Sequence, residues 1–153
     1  MKKINSIVLS GKETLPLIEG GKGIAISSGE SSGAWAKAGG VGTFSGVNAD
    51  SYDENGNLIP QIYKEKTRLG RHRELIDFSV SGAIEQAKIA REIAGKKAPI
   101  HINILWEMAA AEEILTRTLE EASDIIDGVT CGAGMPYKLS DIAARFGIFY
   151  YPI

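Results

Sequence analysis

Leu15-Pro16-Leu17-Ile18-Glu19-Gly20-Gly21-Lys22-Gly23-Ile24-Ala25-Ile26-Ser27 is the stretch that decides how the rest of the chain is read. A short apolar run enters a glycine turn directly and continues into small residues. Glycine has no Cβ, so its backbone takes positive φ freely and lets a flat ligand approach closely. The pattern predicts a strand over Leu15 to Ile18 whose C-terminal tip has been cleared for a cofactor.

Outward from this stretch, short apolar runs alternate with longer helical periodicities. Ser31 to Ala38 reads as a short helix stopped by Gly39-Gly40, and Val41 to Val47 as the next strand. The rhythm then breaks in an excursion over about 48–72, rich in turn formers such as Asp53 and Asn55-Gly56-Asn57. Leu58, Ile59, Ile62 and Tyr63 give that excursion something to bury, which predicts a functional lid rather than a linker. Ile76, Val80, Ala83, Ile84, Ala87, Ala90 and Ala94 recur every three or four residues, so Arg73 to Ala94 is an amphipathic helix closed by Gly95.

Pro99 to Leu105 alternates isoleucine against His101 and Asn103, as a strand does. Glu107 to Ala122 returns to helical spacing, and Asp124 to Thr130 is a further strand ending in Cys131-Gly132-Ala133-Gly134-Met135-Pro136. A helix through Leu139, Ile142 and Phe146 and a strand from Ile148 to Ile153 complete the pattern. Repeated β-α units predict a parallel sheet, because parallel strands need crossover helices.

Two architectures satisfy that pattern. An open doubly wound sheet of five strands fits the 153 residues. A (β/α)8 barrel needs about 250 residues, so this chain would supply its first half to five-eighths. The doubly wound sheet would put helices on both faces, the barrel on one. The usual dinucleotide fingerprint fails, since Gly21 and Gly23 are followed by Ile26 where a third glycine belongs. The phosphate-binding P-loop also fails, because no Gly-Lys-Ser/Thr follows a four-residue gap.

Pro16 to Gly23 with Ile26-Ser27, then Ala38-Gly39-Gly40-Val41-Gly42, resembles the opening of the nitronate monooxygenase family, formerly called 2-nitropropane dioxygenase. Asn103 and Gly132-Ala133-Gly134-Met135-Pro136 match the same family, and the four motifs together span nearly the whole chain. The resemblance implies an α/β fold of parallel (β/α) units forming the first half to five-eighths of an FMN-binding TIM barrel, a single domain over 1–153. It implies an oxidoreductase that uses oxygen to denitrify alkyl nitronates, with a small-molecule substrate. By position, Gly20, Gly21, Lys22 and Asn103 would contact the flavin ring, and Gly132, Ala133 and Gly134 would line the pocket.

This chain departs from the family in two respects. Lys22 stands where the family usually has methionine, and a cation there would stabilise the anionic reduced ring. The family's catalytic histidine, in an Ala-Gly-Gly-His context, and its FMN phosphate loop both lie downstream of these residues. The resemblance therefore assigns no catalytic residue to this chain, and implies weak or no FMN binding and negligible turnover for it alone. A flavin-dependent enoyl-ACP reductase is the related alternative. A non-catalytic half-barrel that self-associates or pairs with a complementary half is the alternative of another class.

Composition bounds these readings. Hydrophobic residues make up 44% of the chain, enough for one packed core. A net charge of −2 argues against a nucleic-acid partner, although Lys64, Lys66, Arg68, Arg71 and Arg73 form a local basic cluster. That cluster reads as a solvated helix start or, alternatively, as a phosphate or partner site. One cysteine excludes an internal disulfide and suits a cytoplasmic location. No apolar window approaches the roughly 20 residues that span a bilayer, so no membrane association is expected.

The remaining reactive side chains read mainly as structural. His101 lies out of phase with the strand's isoleucines and His72 within the basic cluster, and neither has companions at metal-ligand spacing. Cys131 is a packed or pocket-lining thiol, Glu19 and Glu107 are solvated acids at strand ends, and Trp35 and Trp106 are packing residues.

Overall fold

The computed structural model describes residues 4–153. The chain opens with an antiparallel hairpin of β1 (Ile7–Leu9) and β2 (Lys12–Thr14), which the sequence reading did not anticipate. Ser10 (φ 50°) and Gly11 (φ 70°) make its two-residue turn. Positive φ at both positions twists the turn to match the twist of its strands.

The expected strand over Leu15 to Ile18 exists only as one parallel bridge, Ile18 to Val41. Its ladder is nonetheless regular for three bonds: Leu15 N–H donates to Gly39, Val41 N–H to Leu17, and Glu19 N–H to Val41. The ladder stops because the next donor, Thr43 N–H, turns to the Glu19 carboxylate at 3.1 Å instead of to a carbonyl. Ser31 donates to the other oxygen of the same carboxylate. Glu19 is therefore buried and fully engaged, not solvated.

Helix α1 (Gly29–Lys37) is capped by Ser28 and leads to β3 (Gly42–Ser45). Helix α2 (Arg68–Ala94) follows the excursion, starting five residues earlier than periodicity suggests because Thr67 caps it, its Oγ1 accepting from Gly70 N–H. Strand β4 (Ile100–Leu105), helix α3 (Ala111–Ala122), strand β5 (Gly128–Gly132), helix α4 (Tyr137–Phe146) and strand β6 (Phe149–Pro152) complete the order. The strand expected over 124–130 is displaced to Gly128–Gly132, since Ser123 to Asp127 form the turn out of α3.

Strands β3-β4-β5-β6 are all parallel and lie in sequence order. Each crossover helix packs on the next: α1 on α2, α2 on α3, α3 on α4. With right-handed crossovers and no reversal of strand order, the helices all fall on one face. A doubly wound sheet needs such a reversal. The fold is thus an α/β arrangement of singly wound (β/α) units, an unclosed barrel-like half.

Alternation along the strands separates two faces. Phe44, Ile100, Ile102, Ile104, Val129 and Cys131 are buried beneath the helices and belong to one core cluster. The other face carries Thr43, Ser45, His101, Asn103 and Thr130, register partners in successive rows. In a barrel this second face is the interior. Buried Gln86 ties the layers together, accepting from Gly29 N–H at 2.6 Å and donating to the Asp50 carbonyl at 2.6 Å.

The excursion differs from its sequence reading. Asp53 organises a tight turn, accepting from the N–H groups of Asn55 and Asn57. Leu58, Ile59, Ile62 and Tyr63 are exposed, not buried. Glu74 of α2 holds the end of the segment, both its oxygens accepting from the N–H groups of Lys64 and Glu65.

Candidate functional site

The two ends of the sheet are built differently. At the N-terminal end, the hairpin is locked onto the interior face. Ser10 Oγ lies 2.7 Å from His101 Nε2 and 3.0 Å from the Tyr151 hydroxyl, and Ser10 N–H donates to that same hydroxyl. The His101 and Tyr151 rings stack at 4.9 Å across β5, where Gly128 leaves the room that a side chain would fill. Burial pushes His101 down to about 4; Asp127 opposes that fall and Lys12 adds to it. The imidazole is therefore neutral at pH 7, and its Nδ1 is buried without a partner.

A second lock lies beside it. Lys12 Nζ meets Asp127 at 2.6 Å, and Arg91 meets the other oxygen of Asp127 at 2.7 Å. Asp127 also accepts from Ile100 N–H, while Arg91 donates to the carbonyls of Gly95, Ala98 and Ile125. Partly buried, paired charges at the N-terminal ends of barrel strands serve stability.

The C-terminal end is open and strained. Gly20 to Ser27 folds back over β3: Ser45 N–H donates to Ser27 and Ala25 N–H to Val47. Ser27 Oγ accepts from Lys22 N–H at 2.9 Å and donates to the Gly20 carbonyl, closing the turn. This places Gly21 directly on Asn103, where a Cβ would overlap the carboxamide. Asn103 is buried; its Oδ1 accepts from Thr130 Oγ1 at 3.0 Å, which leaves the Nδ2 donors for another partner. At Gly20 and Gly132 a Cβ would meet open space, so no bulky side chain plugs those tips.

Among the described residues, six non-glycine positions have positive φ, and five follow C-terminal strand ends: Ile24, Ala25, Asn48, Ala110 and Ala133. Ile24 is the most unfavourable, since a β-branched residue rarely takes φ 54°. Backbone strain of about 1–3 kcal/mol per position persists where the surroundings enforce it, commonly at ligand sites.

The structure thus brings Gly21 and Asn103 into contact and sets Gly132 at the end of the neighbouring strand β5, with Ala133 and Gly134 on the loop after it. Lys22 is exposed at the apex of its turn. Glu107 is exposed and lies over Gly134, at the same end of the sheet. Cys131 is not at the site: it points beneath the helices, and burial pushes its thiol up. Trp106 packs partly against the core, whereas Trp35 is 42% exposed.

Sequence reasoning missed Ser10, Thr130 and Tyr151. The dipeptide Ser10-Gly11 between two short extended runs was the available hairpin signal. Thr130 and Tyr151 carry no signal until the register is fixed. No family model and no curated protein matches this chain.

Proposed function

We propose that this chain is the flavin-facing part of an FMN-dependent oxidoreductase of the nitronate monooxygenase type. The observation that carries the reading is Gly21 packed on Asn103 at the C-terminal end of a singly wound parallel sheet. Two separate sequence motifs meet there, with open glycine tips on either side.

The residues fit the ring of such a cofactor. Gly20, Gly21 and Gly132 leave a flat surface without side chains, and Asn103 offers Nδ2 donors held in place by the Thr130 hydroxyl. Lys22 supplies a cation at the apex of the glycine turn. A bound flavin supplies electron-transfer chemistry; the protein's contribution is to hold the ring, orient the substrate and exclude water. None of the described residues forms a phosphate grip in this reading, so binding through the ring alone is weak.

Isotope-labelled protein titrated with FMN tests this. Amide shifts confined to Gly20–Lys22, Asn103 and Gly132–Gly134, lost in Asn103→Ala, are expected. Saturating FMN that leaves these amides unmoved overturns the reading.

A second reading, a half-barrel that pairs with another half, draws on the two sheet edges. Leu17 and Ile18 are exposed at one edge, and Phe149 and Ile153 at the other. Unpaired strand edges with apolar side chains favour association. Light scattering decides it: a strictly monomeric, cooperatively melting chain counts against pairing.

A further inference from the structure

An open groove of about 780 Å³ lies on the same rim as the glycine tips, lined by none of the residues expected to contact the flavin. One wall is Ala109, in the loop after β4; the other is the end of the excursion and the first two turns of α2. Adjacent βα loops at the C-terminal end of a parallel sheet are where such folds bind ligands. The volume is that of a small-molecule site.

The groove has two chemistries. Arg68, Arg71 and His72 project from the start of α2, and neither arginine has an ion-pair partner among the described residues. The first turn of this 27-residue helix carries no acid. Glu74 is committed to backbone N–H groups, and Glu65 lies across Gly70 without pairing with either arginine. Two guanidinium groups at the positive end of a long helix repel the helix dipole, an arrangement that favours an anion. Beside them stand Tyr63 and Leu69, 44% and 75% exposed, facing Leu75 and Ala109. An inorganic anion has no use for such a wall. A nucleic acid is disfavoured by the net charge of −2.

We propose that this groove binds a nucleoside phosphate, with Arg68 and Arg71 on the phosphate and Tyr63 against the base. Guanidinium forks match phosphate oxygens, and a tyrosine ring stacks on any base. This site stands apart from the flavin reading and does not depend on it.

Calorimetry and amide-shift mapping on the full chain, with ADP, adenosine and inorganic pyrophosphate as probes, test the proposal. ADP is expected to bind most tightly, to shift amides of 68–75 and Ala109, and to weaken as salt rises. Replacing both arginines (Arg68→Gln with Arg71→Gln) weakens ADP by about tenfold or more. Tyr63→Ala weakens ADP but not pyrophosphate. All three side chains are at the surface, and unchanged melting of the variants confirms that they fold. The proposal is overturned if millimolar ADP leaves those amides unmoved, if the arginine variant binds equally well, or if pyrophosphate matches ADP and Tyr63→Ala changes nothing. Flavin-dependent shifts at Gly21 and Asn103 persist in the arginine variant, so the two sites stand or fall separately.

Discussion

His101 makes the stability of this protein depend on pH in a window where an ordinary histidine would already be charged. Folded, its imidazole titrates at about 4 because it is buried against Ser10 and Tyr151; unfolded, it titrates at 6.5. At pH 7 both states are neutral. As pH falls below 6.5 the unfolded chain takes up a proton that the folded chain refuses, so stability drops until pH reaches about 4. At about 1.4 kcal/mol per pH unit, the gap amounts to about 3 kcal/mol. For a domain of this size that lowers the melting temperature by about 10 °C.

Denaturant titrations at pH values from 7 to 4 measure the effect, with His101→Gln as the reference. The variant loses the Ser10 contact in part but has no proton to gain there. Carboxylates that titrate in the same range are common to both proteins and cancel in the difference. Wild type should lose about 3 kcal/mol more than the variant across the window. Parallel profiles, or an imidazole resonance of His101 titrating near 6.5 in the folded protein, would refute the reasoning.

Other outcomes follow from the same structure. Asp127→Asn should destabilise by about 2–3 kcal/mol at pH 7, because Lys12 and Arg91 lose their shared partner while still partly buried; it should also move the His101 titration lower still, since the lost charge had opposed that fall. Gly82→Ala should cost about 2–3 kcal/mol in a melting assay, since a Cβ there runs into the carbonyl of Ala49 at the start of the excursion. Gly21→Val should displace Asn103, seen as a change in its side-chain amide resonances, with flavin-dependent shifts abolished. Cys131 should react with a thiol reagent only after unfolding, being 1% exposed with its thiol pushed up by burial.

The parallel sheet was legible because its signals are local and repeated. Ile100, Ile102 and Ile104 alternate with His101 and Asn103, and the helices between strands keep their apolar stripes. What a single strand could not disclose was its neighbours. The first extended segment looked like a full strand because Leu15 to Ile18 is apolar, but Glu19 diverts the ladder through its side chain after three bonds. Asn103 was singled out by its motif, yet its partner Thr130 depends on the register between β4 and β5. The excursion misled for the opposite reason: Leu58, Ile59, Ile62 and Tyr63 are apolar in composition but have no facing layer to cover them.

The division of labour along the strands follows from which residues sit at each end. At the N-terminal end the hairpin fills the interior face and pairs Ser10 with Tyr151 and His101, and Lys12 and Arg91 with Asp127, while His101 Nδ1 and Thr43 Oγ1 stay buried without partners. That end is closed by side chains that bond to one another. At the C-terminal end the side chains are withdrawn into glycine at Gly20, Gly21, Gly132 and Gly134, and the backbone is held at positive φ through Ile24, Ala25 and Ala133. At Gly20 and Gly132, where a Cβ would meet open space, packing does not demand glycine, whereas Gly21 and Gly134 are held to glycine by the close approach of Asn103 and Glu107. Asn103 stands between the two regimes, its Oδ1 fixed by Thr130 and its carboxamide packed under Gly21. A paired floor below and a glycine-cleared rim above suit a flat ligand, and the flavin proposal rests on that contrast together with Gly21 packed on Asn103.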